Sequence, residues 1–260
     1  MAGEPDIFAD LKRKARKLGE ELASAPVVEV VGVVNPPGAG GGKFQGEKAW
    51  RLSFDFAAWR TTGGEVRATK LAVHKEVTHD ELDSLVEVLL PYKVFRIRAR
   101  VVEGTGAPQA RLESVVGKEE SDRELNEFAR QLQMPVTCKD AQFGKFTLDR
   151  NVDWYVGESR WNDQPIKLTL SPDNAGSIEE ALKTARILWK RQPSWDRKVQ
   201  KFAVSKLLPL KNSSWLDVDE PKLTAKGFLA KMKLESITIY ADGSFDFWHN
   251  DGDLFWGHSI

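Results

Sequence analysis

The alternation of apolar and polar residues in the first half of the chain predicts a β-barrel. An amphipathic helix over residues 5–23 comes first, with Ile7, Leu11, Ala15, Leu18 and Leu22 at helical spacing. The period then changes to that of strands, which we predict at Val27–Val34, Trp50–Phe56, Val66–His74, Val94–Val102 and Ala110–Val116. A capping box, Thr78-His-Asp-Glu81, predicts a helix between the third and fourth strands. This order of elements is that of an OB-type barrel.

The second half of the chain predicts strands, then helices, then strands. Short strands are expected at Phe143–Leu148, Asp153–Ser159 and Ile166–Leu170, and a closing meander at 234–260. A capping box, Ser177-Ile-Glu-Glu180, predicts the first of three helices. The second helix is expected to stop before Pro209, and the third covers Thr224–Met232. The apolar period places five residues in the interior: Leu182, Ala185, Trp189, Val199 and Phe202.

These patterns predict an α+β protein of two domains. A charged helix over Glu119–Leu132 and the break at Met134-Pro135 separate the halves. We therefore expect an N-terminal amphipathic helix at 1–25, an OB-like β-barrel domain at 26–134, and an α+β domain with an antiparallel sheet and packed helices at 135–260.

Composition excludes several classes of protein. The chain has 38 basic and 38 acidic residues and no net charge, so it is unlike a strongly basic nucleic-acid-binding domain. It has no apolar run long enough for a membrane span and no apolar signal core, which indicates a cytoplasmic protein. Its single cysteine, Cys138, excludes an internal disulfide and a cysteine-based zinc site.

Nucleic-acid binding by the first half is nevertheless one hypothesis. Arg96, Arg98 and Arg100 alternate on one strand face, and with Trp50 (and Phe54 and Trp59) they are typical of an oligonucleotide platform. The alternative is an exposed sheet face on which the three arginines pair with acids, and it is the more common arrangement. The glycine-rich segment at 36–42 lacks the ending of a P-loop, so we predict a flexible hairpin tip there.

The last 27 residues, from Leu234, contain five acids and neither lysine nor arginine. Residues 177–232, directly before them, hold twelve bases and six acids. We predict that this end binds a partner through acids, aromatics and histidines, namely Asp242, Asp246, Trp248, His249, Asp251, Asp253, Trp256 and His258. The competing interpretations are that the acids pair with the neighbouring basic helices, and that Asp251 and Asp253 simply form turns. The histidine and aspartate spacing matches no standard metal loop, so we expect no metal and no cofactor.

A family resemblance covers roughly residues 140–260. It is carried by Phe143-Gly-Lys-Phe-Thr-Leu-Asp-Arg150, by Lys211-Asn-Ser-Ser-Trp215 and above all by the last 27 residues. These resemble a bacterial family of domains of unknown function, family 2262, which implies no catalytic residues. The resemblance does not extend to the first half. Related small bacterial α+β families often act as immunity proteins beside toxins.

These observations favour a non-catalytic protein-binding protein, specifically an immunity protein that neutralises a basic toxin through its acidic, aromatic C-terminal face. The alternatives are an OB-type nucleic-acid-binding module and an enzyme. For an enzyme the sequence offers no candidate mechanism, because Cys138 has no histidine near it in sequence and no Gly-x-Ser-x-Gly motif exists.

Overall fold

A computed structural model describes residues 7–43, 46, 49–103 and 107–258, with side chains from Asp10 onward except that of Leu11. Residues 1–6 and the side chains of Ile7 and Leu11, which belong to the predicted N-terminal helix, lie outside this description, as do the last two residues of the predicted meander. The chain divides into two compact units, Met1–Met134 and Pro135–Ile260.

The first unit is built from six strands and three helices. In chain order these are α1 (Ile7–Ser24), β1 (Val27–Val34), β2 (Gly40–Gly42), β3 (Trp50–Thr61), β4 (Leu71–Val77), α2 (His79–Val88), β5 (Val94–Val102), β6 (Gln109–Lys118) and α3 (Arg123–Gln133). Five of the strands close into a barrel, because β1 pairs with both β3 and β5 while β3–β4, β4–β6 and β6–β5 complete the ring. Only the β4–β6 pair is parallel. With α2 between the third and fourth barrel strands, this is the OB-like topology that the sequence predicts.

The barrel interior is filled by the inward side chains of the alternating strands. Phe56, Phe95 and Ile97 have no exposed surface, and Trp59 is almost completely buried. Helix α2 begins as predicted, since the Thr78 hydroxyl accepts the Glu81 backbone N–H at 3.2 Å. Helix α3 packs with Leu125 and Ala129 against the other side of β1.

The glycine-rich segment is not a flexible hairpin tip, and that prediction is wrong. Gly40–Gly42 form β2, which pairs with β3. A Cβ atom at Gly41 would lie 2.5 Å from Leu82 Cδ1 and 2.7 Å from the Arg51 carbonyl oxygen. Glycine therefore allows α2 to pack closely over this edge of the barrel.

The second unit is a six-stranded sheet with three helices. Its elements are β7 (Thr137–Asp140), β8 (Gly144–Asp149), β9 (Trp154–Trp161), β10 (Gln164–Leu170), α4 (Glu179–Trp189), α5 (Gln192–Ser214), α6 (Ala225–Lys231), β11 (Lys233–Ile239) and β12 (Phe245–Asn250). The strand order is β12-β11-β10-β9-β8-β7, and β10–β11 is its parallel pair. Together the two units confirm the predicted α+β class.

One face of this sheet is covered by α4. Ala181, Ala185 and Leu188 pack on the buried strand residues Phe146, Leu168, Leu170, Ile237 and Ile239. Leu182 and Ala185 are buried as predicted, and Trp189 and Val199 are half-buried. Phe202 is 61% exposed, so its predicted interior position is wrong.

Helix α5 also differs from the prediction at its end. It continues through Pro209 to Ser214. Proline removes the hydrogen bond to the carbonyl four residues earlier, but Ser205 and Pro209 are both exposed, so water can satisfy that carbonyl. The additional turn brings Lys211 and Trp215 to the chain end, where the candidate site lies.

Candidate partner-binding site

Strand β12 separates the residues predicted to bind a partner onto two faces. Side chains alternate along a strand, so Asp246 and Trp248 share one face, while Phe245, Phe247 and His249 share the other. Phe245 and Phe247 pack on the core below α4. Trp248 lies opposite Ser236 on the uncovered face and is 42% exposed. His249 instead lines a cleft of about 1890 Å³ together with Trp161, Asp196 and Met232.

The two acids nearest the β11–β12 turn serve local hydrogen bonds. Asp242 accepts the backbone N–H of Ser244 at 2.9 Å and its hydroxyl at 2.6 Å, and these bonds lower the pKa of Asp242. Asp246 accepts the Tyr240 hydroxyl at 2.8 Å, which raises the pKa of Tyr240. Tyr240 in turn contacts Trp154 edge to face. Both carboxylates remain at the exposed surface.

Asp251, at the other end of β12, organises the chain end. Its carboxylate accepts the backbone N–H groups of Phe255 at 2.8 Å, Gly257 at 3.0 Å and Asp253 at 3.1 Å. Burial by itself would raise the pKa of Asp251, but these three bonds outweigh it and the pKa is lowered. With only 6% of its surface exposed, Asp251 has a structural role, and we remove it from the predicted partner-binding set.

The turn that Asp251 holds presents an aromatic cluster, which we call the terminal aromatic patch: Trp215, Trp256 and His258. The Trp215 ring lies 4.8 Å from that of Trp256 and 5.6 Å from that of His258. Beneath them, Phe255 is buried against Phe228 and contacts Trp215 at 5.5 Å. Trp256 is 60% exposed and has a backbone φ of 53°. A bulky residue in the left-handed region is strained, and such strain is concentrated at functional positions.

A buried lysine supports the patch from below. Lys211 has no exposed surface, and its ammonium group donates to the Trp215 carbonyl and to Glu220, each at 2.6 Å. Asn212 exchanges two hydrogen bonds with the backbone of Leu223. These bonds fix the segment 215–223, whose exposed acids are Asp217 and Asp219. No sequence pattern indicates this role, because Lys211 resembles any other base of the lysine-rich helix.

The acids of the chain end do not pair with the basic helices. Within the described residues, Asp242, Asp246, Asp251 and Asp253 make no ion pair within 4 Å. Asp253 is exposed next to the patch, with a φ of 64° that aspartate tolerates. Of the predicted set, the structure therefore brings Asp253, Trp256 and His258 together and places Asp242 and Asp246 at the opposite end of a six-residue strand.

The arginines of β5 are paired with acids, as in the alternative interpretation of their pattern. Arg96 contacts Glu119 at 2.6 Å and Glu29 at 3.2 Å. Hydrogen bonds from Ser121 and Arg96 lower the pKa of Glu119 to about 2. In the described part of the chain, Arg98 has one carboxylate within 4 Å, that of Glu29 at 3.8 Å.

Arg100 completes this row. It contacts Glu113 at 2.7 Å and donates to the carbonyls of Ala23 and Ala25 at the end of α1. Trp50 is half-buried with its ring 4.7 Å from His79, and Phe54 and Trp59 are buried in the barrel. The aromatic part of the predicted oligonucleotide platform is therefore not an exposed stacking surface.

Two further properties bear on chemistry. No group of three or more histidine, cysteine, aspartate or glutamate side chains suited to a metal ion occurs among the residues that the structure describes. Burial, with smaller effects from Asp140 and Glu179, raises the pKa of the Cys138 thiol.

In the described part of the chain, no helix combines the length and apolar character needed to cross a membrane.

Each of the two units matches a family model. Residues 140–260 match the family described as "Uncharacterized protein conserved in bacteria (DUF2262)". This match covers nearly all of the C-terminal unit. The resemblance seen in the sequence is thereby confirmed. Residues 14–132 match a second family, "Domain of unknown function (DUF7021)", which the sequence resemblance did not include.

Comparison with individual proteins adds little. No curated protein matches the chain. A solved chain from "Structure and Conformational Change of a Replication Protein A Heterotrimer Bound to ssDNA" is similar at 12% identity and a TM-score of 0.26. The match covers 56% of this chain and 38% of that one. The OB-like topology follows from the strand pairings of the first unit.

Proposed function

We propose that this chain is a non-catalytic protein-binding protein that binds its partner through the terminal aromatic patch. The observation that carries the proposal is Trp256, a tryptophan that is 60% exposed at a strained φ of 53°. Exposing a large aromatic ring in this backbone conformation lowers the stability of the free protein. A partner that covers the ring would recover that free energy, and tryptophan is among the residues most enriched at interface hot spots.

The surroundings of the patch favour a basic partner. Three exposed acids lie beside it in sequence, Asp217 and Asp219 after Trp215 and Asp253 before Trp256. Acids around an aromatic centre give the arrangement of a polar rim and an apolar anchor, and they would accelerate association with a basic protein. On this basis we propose an immunity protein that neutralises a basic toxin. A cytoplasmic location remains a prediction from the sequence.

The test is co-expression with the products of neighbouring open reading frames, followed by affinity measurement on any complex and a growth assay for neutralised toxicity. Trp256→Ala should weaken binding by about tenfold or more, which is the range of a hot-spot residue. Trp248→Ala is the matched control, because Trp248 is an exposed tryptophan of the same unit on the uncovered sheet face. We expect that variant to bind within about threefold of wild type.

Two results would contradict the proposal. One is a complex that both variants form as tightly as the wild type, which would place the interface elsewhere. The other is a complex lost equally in both variants, which would indicate general damage to the unit. Thermal unfolding of each variant distinguishes the second case from a true loss of contact.

The OB-type alternative receives less support from the structure than the protein-binding proposal. The guanidinium groups of Arg96 and Arg100 each have a carboxylate partner, which reduces the positive charge available to phosphate groups. We expect an oligothymidylate to bind more weakly than micromolar at physiological salt. A submicromolar affinity that Arg98→Ala abolishes would favour the nucleic-acid module instead.

A further inference from the structure

Helix α5 presents a row of basic residues that no acid neutralises. Arg197, Lys198, Lys201 and Lys206 are exposed on the side of the helix away from the domain, and we call this surface the basic face of α5. Within the described residues none of the four makes an ion pair within 4 Å. The only acid on the helix, Asp196, instead accepts the Trp161 indole N–H at 2.6 Å.

The same face carries apolar side chains. Phe202 is 61% exposed and Leu210 is 43% exposed. Lys198 and Lys206 lie four residues before and after Phe202, one helical turn on either side. Apolar side chains surrounded by charge on one face are typical of a protein interface.

Helix α2 presents the opposite arrangement. Asp80, Asp83 and Glu87 are exposed along one side, which we call the acidic face of α2. The helix contains no lysine or arginine, and the one ion-pair partner of these acids in the described residues is His79, 3.0 Å from Asp83. Val86, at 36% exposure, and Leu90, at 42%, border this face.

The spacing of the charges on the two faces agrees. At about 1.5 Å rise per residue, Asp83 and Glu87 lie roughly 4.5 and 10.5 Å along α2 from Asp80. Lys201 and Lys206 lie roughly 4.5 and 12 Å along α5 from Lys198. A difference of about 1.5 Å is within the reach of a flexible lysine side chain. Around the helix axis, Lys201 and Lys206 lie roughly 140° apart and flank Lys198 and Phe202, so a partner helix that packs along Phe202 meets basic side chains at both of its edges.

We propose that the acidic face of α2 in one copy of this chain binds the basic face of α5 in a second copy. A chain with equal numbers of bases and acids that carries both faces is self-complementary. Nucleic acid would use the basic residues but gives no role to Leu210 or to the acidic face of α2. This interface is distinct from the terminal aromatic patch and does not rest on the function proposed for it.

Charge reversal on each helix provides the test. Sedimentation equilibrium of the full chain should show concentration-dependent association at low salt that weakens at about 1 M salt, where the Debye length is about 3 Å. Asp83→Lys with Glu87→Lys should weaken this association about tenfold or more, and so should Lys201→Glu with Lys206→Glu. An equimolar mixture of the two double variants should associate again, because each then supplies the charge that the other lacks.

Several outcomes would overturn the proposal. These are a chain that stays monomeric at all concentrations, an association that neither double variant weakens, and a mixture that fails to recover. Binding of an oligothymidylate that only the α5 reversal abolishes, without self-association, would show that the basic face serves nucleic acid. The milder pair Lys201→Gln and Lys206→Gln, compared by circular dichroism and thermal unfolding, ensures that lost association is not lost folding.

Discussion

Strand β5 and helix α5 both carry a row of cationic side chains, but the two rows differ in their pairing with acidic side chains. On β5, Arg96 lies within 3 Å of the carboxylate of Glu119, directly after β6, and Arg100 within 3 Å of that of Glu113, in β6. On α5, the exposed bases have no such acid in the described structure, and the one buried base, Lys211, supports the chain end. The same residue type is therefore part of the fold in one unit and an available surface charge in the other.

Lys211 should give the largest stability effect, because it is the base of α5 that the fold uses. Lys211→Ala removes the donor to the Trp215 carbonyl and a buried side chain. We expect a loss of about 2–4 kcal/mol in the free energy of unfolding of the second unit. Lys206→Ala, on the exposed face of the same helix, should change it by less than about 0.5 kcal/mol. Urea unfolding followed by tryptophan fluorescence measures both, and equal losses would mean that the exposed base also holds the fold.

Asp251 extends the comparison to acids. Asp251→Ala leaves the N–H groups of Asp253, Phe255 and Gly257 without their acceptor, so we expect a loss of about 1–2 kcal/mol, as for a lost helix cap. Asp246→Ala removes only a bond to Tyr240 at the surface and should cost less than about 0.5 kcal/mol. Thermal unfolding compares the two variants. A neutral Asp251→Ala would return this acid to the candidate binding surface.

Low pH should reveal how much the ionised carboxylate of Glu119, a partner of the β5 arginines, contributes to the stability of the fold. The folded-state pKa of Glu119 is about 2, below its ordinary value of 4.5. A carboxyl group with a depressed pKa stabilises the fold fully above the ordinary value, and this contribution is lost as pH falls from 4.5 towards 2. Glu119→Gln should therefore lower the Tm by a few degrees at pH 7 and by much less near pH 2. A Tm difference that is the same at both pH values would argue against the ionised Glu119 carboxylate, which accepts hydrogen bonds from Ser121 and Arg96, as its cause.

Arg98 should show the smallest effect, because it is the least engaged arginine of β5. Its side chain is 60% exposed, and its one ion pair among the described residues, to Glu29, is 3.8 Å long. Exposed pairs of this kind contribute little to stability, so Arg98→Ala should change the free energy of unfolding by less than about 0.5 kcal/mol. Chemical denaturation of this variant beside Arg96→Ala measures the contrast, and a larger loss for Arg98→Ala would reverse our ranking within the row.

The barrel could be predicted from sequence because its pattern is local. The β-branched run Val27–Val34 and the alternation in Val94–Val102 predicted these strand limits as the structure has them. The partners of the β5 arginines could not be predicted, since Glu29 lies 67 residues from Arg96 and meets it only when β1 pairs with β5. Which strands pair in a closed sheet depends on the tertiary structure, and a short stretch of sequence does not reveal it.

Errors in the second unit have a related cause. Phe202 follows Val199 at helical spacing, so periodicity placed both inside. The buried side of α5 is instead set by α6 and the chain end, which pack on Ala203 through Phe228 and Phe255. Asp251 does lie in a turn, as one interpretation of the sequence had it, but the sequence did not show that its carboxylate would also accept the Phe255 N–H. The buried side of α5 thus depends on which distant segments pack on the helix, which periodicity alone does not reveal.

The parallel contact of β10 with β11 has a consequence for how the second unit folds. Leu170 pairs with Ile239, although 62 residues that contain all three helices separate the end of β10 from the start of β11. The ladders of β7 to β10, and that of β11 with β12, need only neighbouring segments. Closing the longer separation costs conformational entropy before any contact compensates for it. We therefore expect the fragment β7 to β10 and the fragment β11 to β12 to form first and to join late. The pairing of β10 with β11 would then limit the folding rate of the unit.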